Sequence, residues 1–321
     1  MNNPVRFLIL AAAFAASLPA AAQSYPARTV RVIVPYAAGG NTDFTARTLG
    51  AKLAEMWGQQ VIVDNRPGGG TNIGSELAAK AAPDGYTLFM GGASNAVNMT
   101  YYSRPPYNTL RDFAPVVWCV QGAAVLAAHP SLPARSLKEV IALAKARPGQ
   151  LNFASAGLGS SNHMAGELFK VMAGINIVHV PYKGNTPSIT DAIAGHIEMV
   201  FSGVPALIPH FKSGRLRAIA ISSKARFPAV PDVPTFDESG VKGYEASNWF
   251  GLMAPIKVPR EVVARVNTDV NKLLAGGEIK TRFESDGLVP KGGTPEFFGE
   301  FIRAEIDKYA RVIKTAGVQR Q

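Results

Sequence analysis

The chain has 321 residues, with 33 Lys and Arg against 23 Asp and Glu, a formal net charge of +10 and one cysteine, Cys119. A single cysteine excludes an internal disulfide, and its place in the apolar run "VVWCV" is typical of a small buried side chain. The basic residues form no run of five or six and do not alternate with aromatic residues. Nucleic acid is therefore a poor candidate partner, whereas small anions are permitted.

The first 22 residues have the pattern of a secretory signal peptide. Arg6 is their only charged residue, "FLILAAAFAASL" is the apolar segment, and Pro19 breaks it just before the small residues Ala20–Ala22. The apolar segment is shorter than the roughly 20 residues needed to cross a bilayer. The sequence predicts export with cleavage after Ala22, which leaves a chain long enough for two domains.

Apolar, β-branched runs then alternate with helical patterns. The predicted strands are "TVRVIVPY", "QVIVDN", "YTLFMG", "AAVLAA", "LNFASA", "INIVHV", "HIEMVFSG" and "LRAIAIS". The predicted helices between them lie at about 42–57, 72–82, 136–147, 162–173, 186–195 and 205–213. Buried strands linked by helices predict parallel α/β sheets. Two amphipathic helices, at 259–275 and 294–317, are expected to pack against an existing sheet.

Two stretches share one design. "VIVPYAAGGNTDFTARTL" and "LNFASAGLGSSNHMAGELF" both run from a strand through a Gly-rich turn and polar capping residues into a helix. Ligands of open α/β sheets bind at the carboxyl ends of the strands. Two such units indicate two α/β lobes, and if the lobes face each other, both turns look into one cleft.

The first Gly-rich turn is a candidate anion site. Gly39 and Gly40 let several backbone N–H groups converge at a helix N-terminus, which suits carboxylate or phosphate. The alternative is a purely structural turn capped by Asn41, Thr42 or Asp43. A second cluster, Pro67–Gly70, precedes another helix without the Lys-Ser/Thr ending of a nucleotide loop, and it could grip the same carboxylate through backbone donors and water.

The second lobe offers side chains for the variable end of a ligand. Ser155, Ser160, Ser161 and His163 follow one strand, and "YKGNTPSITDAIAG" supplies Tyr182, Lys183, Thr186 and Asp191. Each also has a structural explanation, because serines cap helices, a lone histidine is often structural and Asp191 can close a loop. Enzyme and metal motifs are absent from the sequence, and a Ser155–His163–Asp191 triad would exist only through the fold. The sequence therefore predicts no catalytic residue, no metal and no cofactor.

Four motifs together resemble the Bug family, the periplasmic solute-binding receptors of tripartite tricarboxylate transporters. They are "YPARTVRVIVPYAAGGNTDFTAR", "VIVDNRPGGGTNIGSELAAKAAPDGYTL", "YKGNTPSITDAIAGHIEMVF" and "WFGLMAP". The resemblance covers essentially the whole mature chain in order. It implies a periplasmic α/β protein with two lobes, each a mostly parallel sheet flanked by helices, that closes on a small organic acid and hands it to a membrane permease.

The resemblance also implies the positions of the lobes and of the ligand. Lobe 1 is expected at residues 23–123 and 226–321, lobe 2 at 124–225, and the receptor is expected to be a monomer and not an enzyme. Carried over by motif position, the ligand-binding residues are Tyr36, Ala38, Gly39, Gly40, Asp43, Gly68, Gly69, Gly70, Thr71, Asn72, Ser94, Asn95, Ser155, Ser160, His163, Thr186 and Asp191.

Three departures from the family pattern bear on ligand identity. Thr71 stands where glycine is common, Gly184–Ser188 reads Gly-Asn-Thr-Pro-Ser where Gly-Ser-x-Pro-Ala is usual, and Glu198 replaces a common aspartate. Dicarboxylates, tricarboxylates, acidic amino acids and aromatic acids all stay open as ligands. A sensing receptor that docks on a signalling partner is the alternative function, and a secreted hydrolase is a further one.

Overall fold

A computed structural model describes residues 25–315 and 317–321, so the predicted signal peptide and its cleavage site lie outside the described residues. The strands β1–β10 are Val30–Val34, Val61–Asn65, Thr87–Gly92, Phe113–Ala128, Asn152–Ser155, Val178–Pro181, Met199–Gly203, Arg217–Ile221, Ser247–Pro255 and Leu288–Pro290. The helices α1–α11 are Asn41–Trp57, Asn72–Ala79, Ala93–Tyr101, Thr109–Asp112, Leu137–Ala146, Ser161–Ala173, Asn185–Ile193, Val204–Lys212, Arg260–Leu274, Gly277–Ser285 and Pro295–Thr315. Every strand and helix predicted above corresponds to one of these elements.

The strands form two sheets that share β4. The first has the order β2-β1-β3-β9-β4 with β10 beside β4, and the second has the order β4-β7-β5-β6 with β8 also beside β4. β1 pairs in parallel with β2 and β3, and β5 pairs in parallel with β6 and β7. The sequence predicts mostly parallel sheets, and the structure adds antiparallel pairing along β4 and β9, with β9 antiparallel between β3 and β4. The two-lobed α/β fold is confirmed, with sheets that are mixed.

Strand β4 carries the chain from one sheet to the other. Residues 113–123 pair with β9 in the first sheet, and residues 124–128 pair with β7 and β8 in the second. Its 16 residues are mostly buried, because both faces of both sheets are covered by helices or loops. The chain returns at β9, whose first residue, Ser247, pairs with Ala123.

Each sheet has its own hydrophobic core. Val32 and Val120 of the first sheet pack with Val266 and Val270 of α9. Phe298 of α11 packs with Trp249 on the opposite face, where the rings meet edge to face at 5.7 Å. Fully burying one such side chain is worth about 1.5–3 kcal/mol. The two C-terminal amphipathic helices therefore pack against a sheet, as predicted, and the structure places them on its two opposite faces.

The core of the second sheet includes chain beyond residue 225. Phe236 stacks on Tyr244 and on Phe201 of β7, in the same cluster as Phe153 and Phe169. The lobe boundaries stay a prediction, and this packing favours a return crossing nearer Ser247 than residue 226. Among the described residues, no helix combines the length and the apolar character that a membrane span requires.

Candidate functional site

Three helix N-termini meet between the two sheets. Helix α1 follows β1 of the first sheet, and helices α6 and α7 follow β5 and β6 of the second. Because each helix begins at the carboxyl end of a parallel strand, their first turns lie at the facing edges of the sheets. The Gly-rich turns predicted to share a cleft therefore come together in the fold.

The first turns of these helices enclose a small cavity of about 20 Å³, which we call the inner cavity. This is room for roughly one water molecule or one carboxylate oxygen. Its walls are Tyr36, Gly40, Asn41, Thr42, Ala156, Ser160, Ser161, Asn162, Asn185, Asn248 and Phe250. Within the described part of the chain, none of these lining residues carries a formal charge.

The electrostatics of the inner cavity favour an anion. The first backbone N–H groups of a helix have no acceptor within the helix, and the helix dipole places partial positive charge there. In α6 the Ser160 hydroxyl accepts from the His163 N–H at 3.1 Å, but α1 and α7 begin at Gly40 and Gly184 without a side-chain cap. Two of the three N-termini thus keep their N–H groups available for a ligand.

A second cavity of about 220 Å³, the outer cavity, shares Tyr36 and Ala156 with the inner one. Its other walls are Pro35, Gly68, Gly69, Gly70, Thr71, Tyr102, Leu158, Pro181, Tyr182 and Lys183. Gly70 has φ +62°, and a Cβ there would lie 2.6 Å from the Leu158 carbonyl oxygen, so only glycine fits between the lobes. The outer cavity has the size for the body of a small organic molecule and includes one cation.

Direct hydrogen bonds join the two sides of the cleft. The Ala37 N–H donates to the Lys183 carbonyl at 3.2 Å, and the Thr186 hydroxyl donates to the Ala38 carbonyl at 2.6 Å. The turn after β1 is thereby fastened to the turn after β6. The described conformation is a closed one.

Three asparagines form a chain of amides along the inner cavity. Asn248 Nδ2 donates to Asn162 Oδ1 at 3.1 Å, and Asn162 Nδ2 donates to Asn185 Oδ1 at 2.8 Å. All three side chains are buried. Because the oxygen of Asn185 is held in this way, its Nδ2 is the group left to donate to a ligand.

The predicted site residues divide into those at the cavities and those behind them. Lining the inner or the outer cavity are Tyr36, Gly40, Gly68, Gly69, Gly70, Thr71 and Ser160. Ala38 and Thr186 join the rims through a hydrogen bond, and Gly39 lines neither cavity but lies beside Thr186. Asp43 instead accepts from the Gly39 N–H and from Arg47 Nε, both at 2.9 Å, and so fixes the shape of the first turn. Asn72 accepts from Asn98 Nδ2 at 3.1 Å and supports the second turn.

Ser94 and Asn95 lie inside lobe 1. Both belong to the first turn of α3, where the Ser94 hydroxyl accepts from the Tyr36 hydroxyl at 2.9 Å. Asn95 accepts from the Gly92 N–H and donates to Ser75 and Tyr107. Neither residue lines the inner or the outer cavity. Both therefore stabilise lobe 1 beneath the residues that line the cavities.

Ser155, His163 and Asp191 do not form a triad. Ser155 Oγ is 2.7 Å from Nε2 of His179, on which the His163 ring stacks at 4.0 Å, and Asp191 accepts from the Tyr182 hydroxyl at 2.6 Å. Burial lowers the pKa of His179 to about 3 and the pKa of His163 well below its ordinary value. Ser155 and the two stacked histidines therefore form a largely buried support, with both imidazoles neutral at neutral pH, beneath the turn that lines both cavities.

The sequence reasoning missed most of the asparagines in the inner cavity. The sequence offers Asn41 and Asn162 an ordinary structural role as helix-capping residues, and it does not point to Asn248 because β9 is not among the predicted strands. Asn185 was noted only as a departure from the family pattern. A polar residue in the first turn of a helix that follows a parallel strand is the signal that could have identified three of them.

Comparisons with known proteins agree with this architecture. The family model described as tripartite tricarboxylate transporter family receptor matches residues 45–318. Protein BugT of Bordetella pertussis is 37% identical over 323 residues, which cover 99% of each chain.

Solved structures are equally similar. An R. palustris protein with adipate superposes with a TM-score of 0.90 at 36% identity, covering 92% of this chain and 100% of that one. The MatC protein of Rhodopseudomonas palustris with bound malate superposes with a TM-score of 0.86 at 29% identity, covering 90% and 100%. The periplasmic binding protein BugD superposes with a TM-score of 0.89 at 31% identity, covering 92% and 100%. The chain therefore belongs to the tripartite tricarboxylate transporter receptor family, as a Bug-type solute-binding receptor.

Proposed function

We propose that this protein captures a small carboxylate in the periplasm and delivers it to the permease of a tripartite tricarboxylate transporter. The observation that carries the proposal is the convergence of three helix N-termini on one uncharged inner cavity. Such a site stabilises a carboxylate through backbone N–H groups and helix dipoles. Related receptors hold adipate and malate, which are both carboxylates.

In this proposal the two cavities hold different parts of the ligand. One carboxylate of the ligand places an oxygen in the inner cavity, where the N–H groups of α1 and α7 and the amide of Asn185 donate to it. The rest of the ligand occupies the outer cavity between the Gly68–Gly70 turn and Lys183. The backbone N–H groups at the inner cavity recognise the carboxylate, and the outer cavity selects the length and shape of the rest of the ligand.

Ligand capture is coupled to closure of the lobes. The hydrogen bonds of Ala37 and Thr186 across the cleft can exist only when the lobes meet. A ligand that contacts both lobes binds the closed form better and shifts the population toward it. The closed monomer is then the form that the permease recognises, after the signal peptide has been cleaved near Ala22.

A thermal-shift screen of the mature protein tests the proposal. The panel contains dicarboxylates, tricarboxylates, aromatic acids and amino acids, with neutral sugars as the matched negative set. A ligand at 100 times its dissociation constant stabilises the folded state by about 2.7 kcal/mol. A shift confined to a few carboxylates is expected, whereas a shift with sugars alone, or with no acid, would contradict the proposal.

A charge substitution tests whether the carboxylate binds at the inner cavity. Asn185→Asp keeps the oxygen that Asn162 bonds and is favourable at a helix N-terminus, so the protein should fold normally. The new carboxylate faces the bound anion, and we expect carboxylate affinity to fall at least about tenfold because like charges repel in a dry site. Asn176→Asp, at an exposed loop position, is the matched control and should bind like the wild type.

A further inference from the structure

The outer cavity is lined mainly by apolar side chains. The sequence Val-Pro-Tyr occurs at the carboxyl end of both β1 and β6, so residues 35–36 of lobe 1 and residues 181–182 of lobe 2 each bring one proline and one tyrosine to the cavity. Ala156 and Leu158, from the turn after β5, complete this part of the wall. Proline and tyrosine side chains therefore border the cavity from both lobes.

The hydroxyls of these two tyrosines are already bonded to protein groups. The Tyr36 hydroxyl donates to Ser94 Oγ at 2.9 Å, and the Tyr182 hydroxyl donates to the Asp191 carboxylate at 2.6 Å. A phenol has one hydrogen to donate, so neither hydroxyl has a second one for a ligand. What the two residues offer a bound molecule is chiefly the aromatic ring, which favours apolar contact.

The remaining lining residues add few groups that could bond to a polar ligand body. Asn98 Nδ2 donates to the Gly70 carbonyl at 2.9 Å and to the Thr71 hydroxyl oxygen at 3.2 Å, so both acceptors already have a partner. Within the described chain Lys183 is the one charged residue that lines the cavity, and it is exposed, so water can solvate its ammonium group. A ligand hydroxyl buried in this cavity loses its bonds to water without full replacement, which is costly.

We infer that the physiological ligand is a carboxylate with an apolar body, an acid whose chain or ring carries no hydroxyl or amino group besides its carboxylates. The inference rests on the proposed carboxylate-receptor function and narrows its substrate class to unsubstituted aliphatic, alicyclic and aromatic acids. The size of the cavity agrees, because an apolar cavity of about 150 Å³ holds benzene and the outer cavity measures about 220 Å³.

Matched pairs of acids test the inference by isothermal titration calorimetry. Succinate and tartrate, adipate and galactarate, and cyclohexanecarboxylate and quinate each share a carbon skeleton and differ in hydroxyl groups. The tightest acid of the thermal-shift screen joins them with its hydroxylated or unsubstituted counterpart. We expect the unsubstituted acid of at least one pair to bind roughly 10- to 100-fold more tightly than its hydroxylated partner.

Titrations at several temperatures supply a second readout. Burial of an apolar body makes the heat-capacity change of binding negative, so the binding enthalpy of the unsubstituted acid should fall as the temperature rises. Equal affinity within every pair, tighter binding of a hydroxylated acid, or a heat-capacity change near zero overturns the inference. Failure of every carboxylate to bind the wild type overturns the proposed function itself.

Variants of the apolar wall test whether the outer cavity sets this preference. Leu158→Gln adds a polar group to the wall at similar size, so the affinity ratio of unsubstituted to hydroxylated acid should fall at least about threefold. Leu110→Gln, the same change at an exposed position, is the matched control and should keep the wild-type ratio. Tyr182→Phe keeps the ring and removes the hydroxyl, so the preference should persist. An unchanged ratio in Leu158→Gln, or loss of the preference in Tyr182→Phe, overturns the inference.

Discussion

Gly203 gives the sharpest test of how the lobes close. It lies at the carboxyl end of β7 with φ −75°, a conformation open to any residue, so Gly203→Ala introduces no backbone strain. The added Cβ would lie 2.6 Å from Cγ of Asn41 across the cleft, below the closest approach that real Cβ atoms show. Either the buried amide of Asn41 must turn away or the lobes must stay apart by a comparable distance.

Overpacking of this kind costs about 1–3 kcal/mol. Since the clash arises only in the closed form, the free energy of closure bears this cost, and we expect Kd to rise roughly 5- to 150-fold. Calorimetry measures Kd, and solution scattering measures ligand-dependent compaction, which should be reduced at a fixed ligand concentration. Gly276→Ala, where a Cβ meets open space, is the control. Wild-type affinity and full compaction in Gly203→Ala would refute this account of closure.

Three further predictions concern other parts of the molecule. Thr186→Val removes the hydroxyl bonded to the Ala38 carbonyl, so carboxylate affinity should fall about 2- to 10-fold by calorimetry while the melting temperature of the free protein is unchanged. Burial lowers the pKa of His179 to about 3 from 6.5 and that of stacked His163 well below 6.5, so their contribution to stability is complete above about pH 6.5 and is lost as the pH falls toward 3. Urea midpoints measured across this range should fall on acidification, and a flat profile would exclude the effect. Burial raises the pKa of Cys119 to about 12, so a thiol reagent should label it only after denaturation, and labelling of the native protein would show that the site is open.

Much of the fold follows from local sequence. The run from Val30 to Trp57 contains a buried strand, a glycine turn and a helix, and each is specified by residues close together in the chain. The central position of β9 between β3 and β4 is different, because it depends on pairing with strands more than 100 residues away. Gly251 within β9 illustrates this, since the glycine is required by the ring of Phe298 packed against it from the C-terminal helix.

The parts of the candidate site that are built from backbone N–H groups could be predicted from the sequence. The parts built from side chains were harder to predict, because their hydrogen-bond and stacking partners come from distant segments. Gly39 and Gly40 indicate an anion site because they directly precede a helix, and this depends only on local sequence. His163 also follows a Gly-rich turn at the start of a helix, but its ring stacks on His179 of the neighbouring strand and lines neither cavity. The chain of amides from Asn248 to Asn185 likewise depends on three elements that only the fold brings together.

A crystal structure with the tightest-binding acid tests the central claim most directly. We expect one carboxylate of the ligand to place an oxygen in the inner cavity, within hydrogen-bond distance of the first N–H groups of α1 and α7 and of Asn185 Nδ2. The remainder of the ligand should lie in the outer cavity beside Lys183. A ligand bound elsewhere, or one that places an apolar or cationic end among the three helix N-termini, would contradict the account.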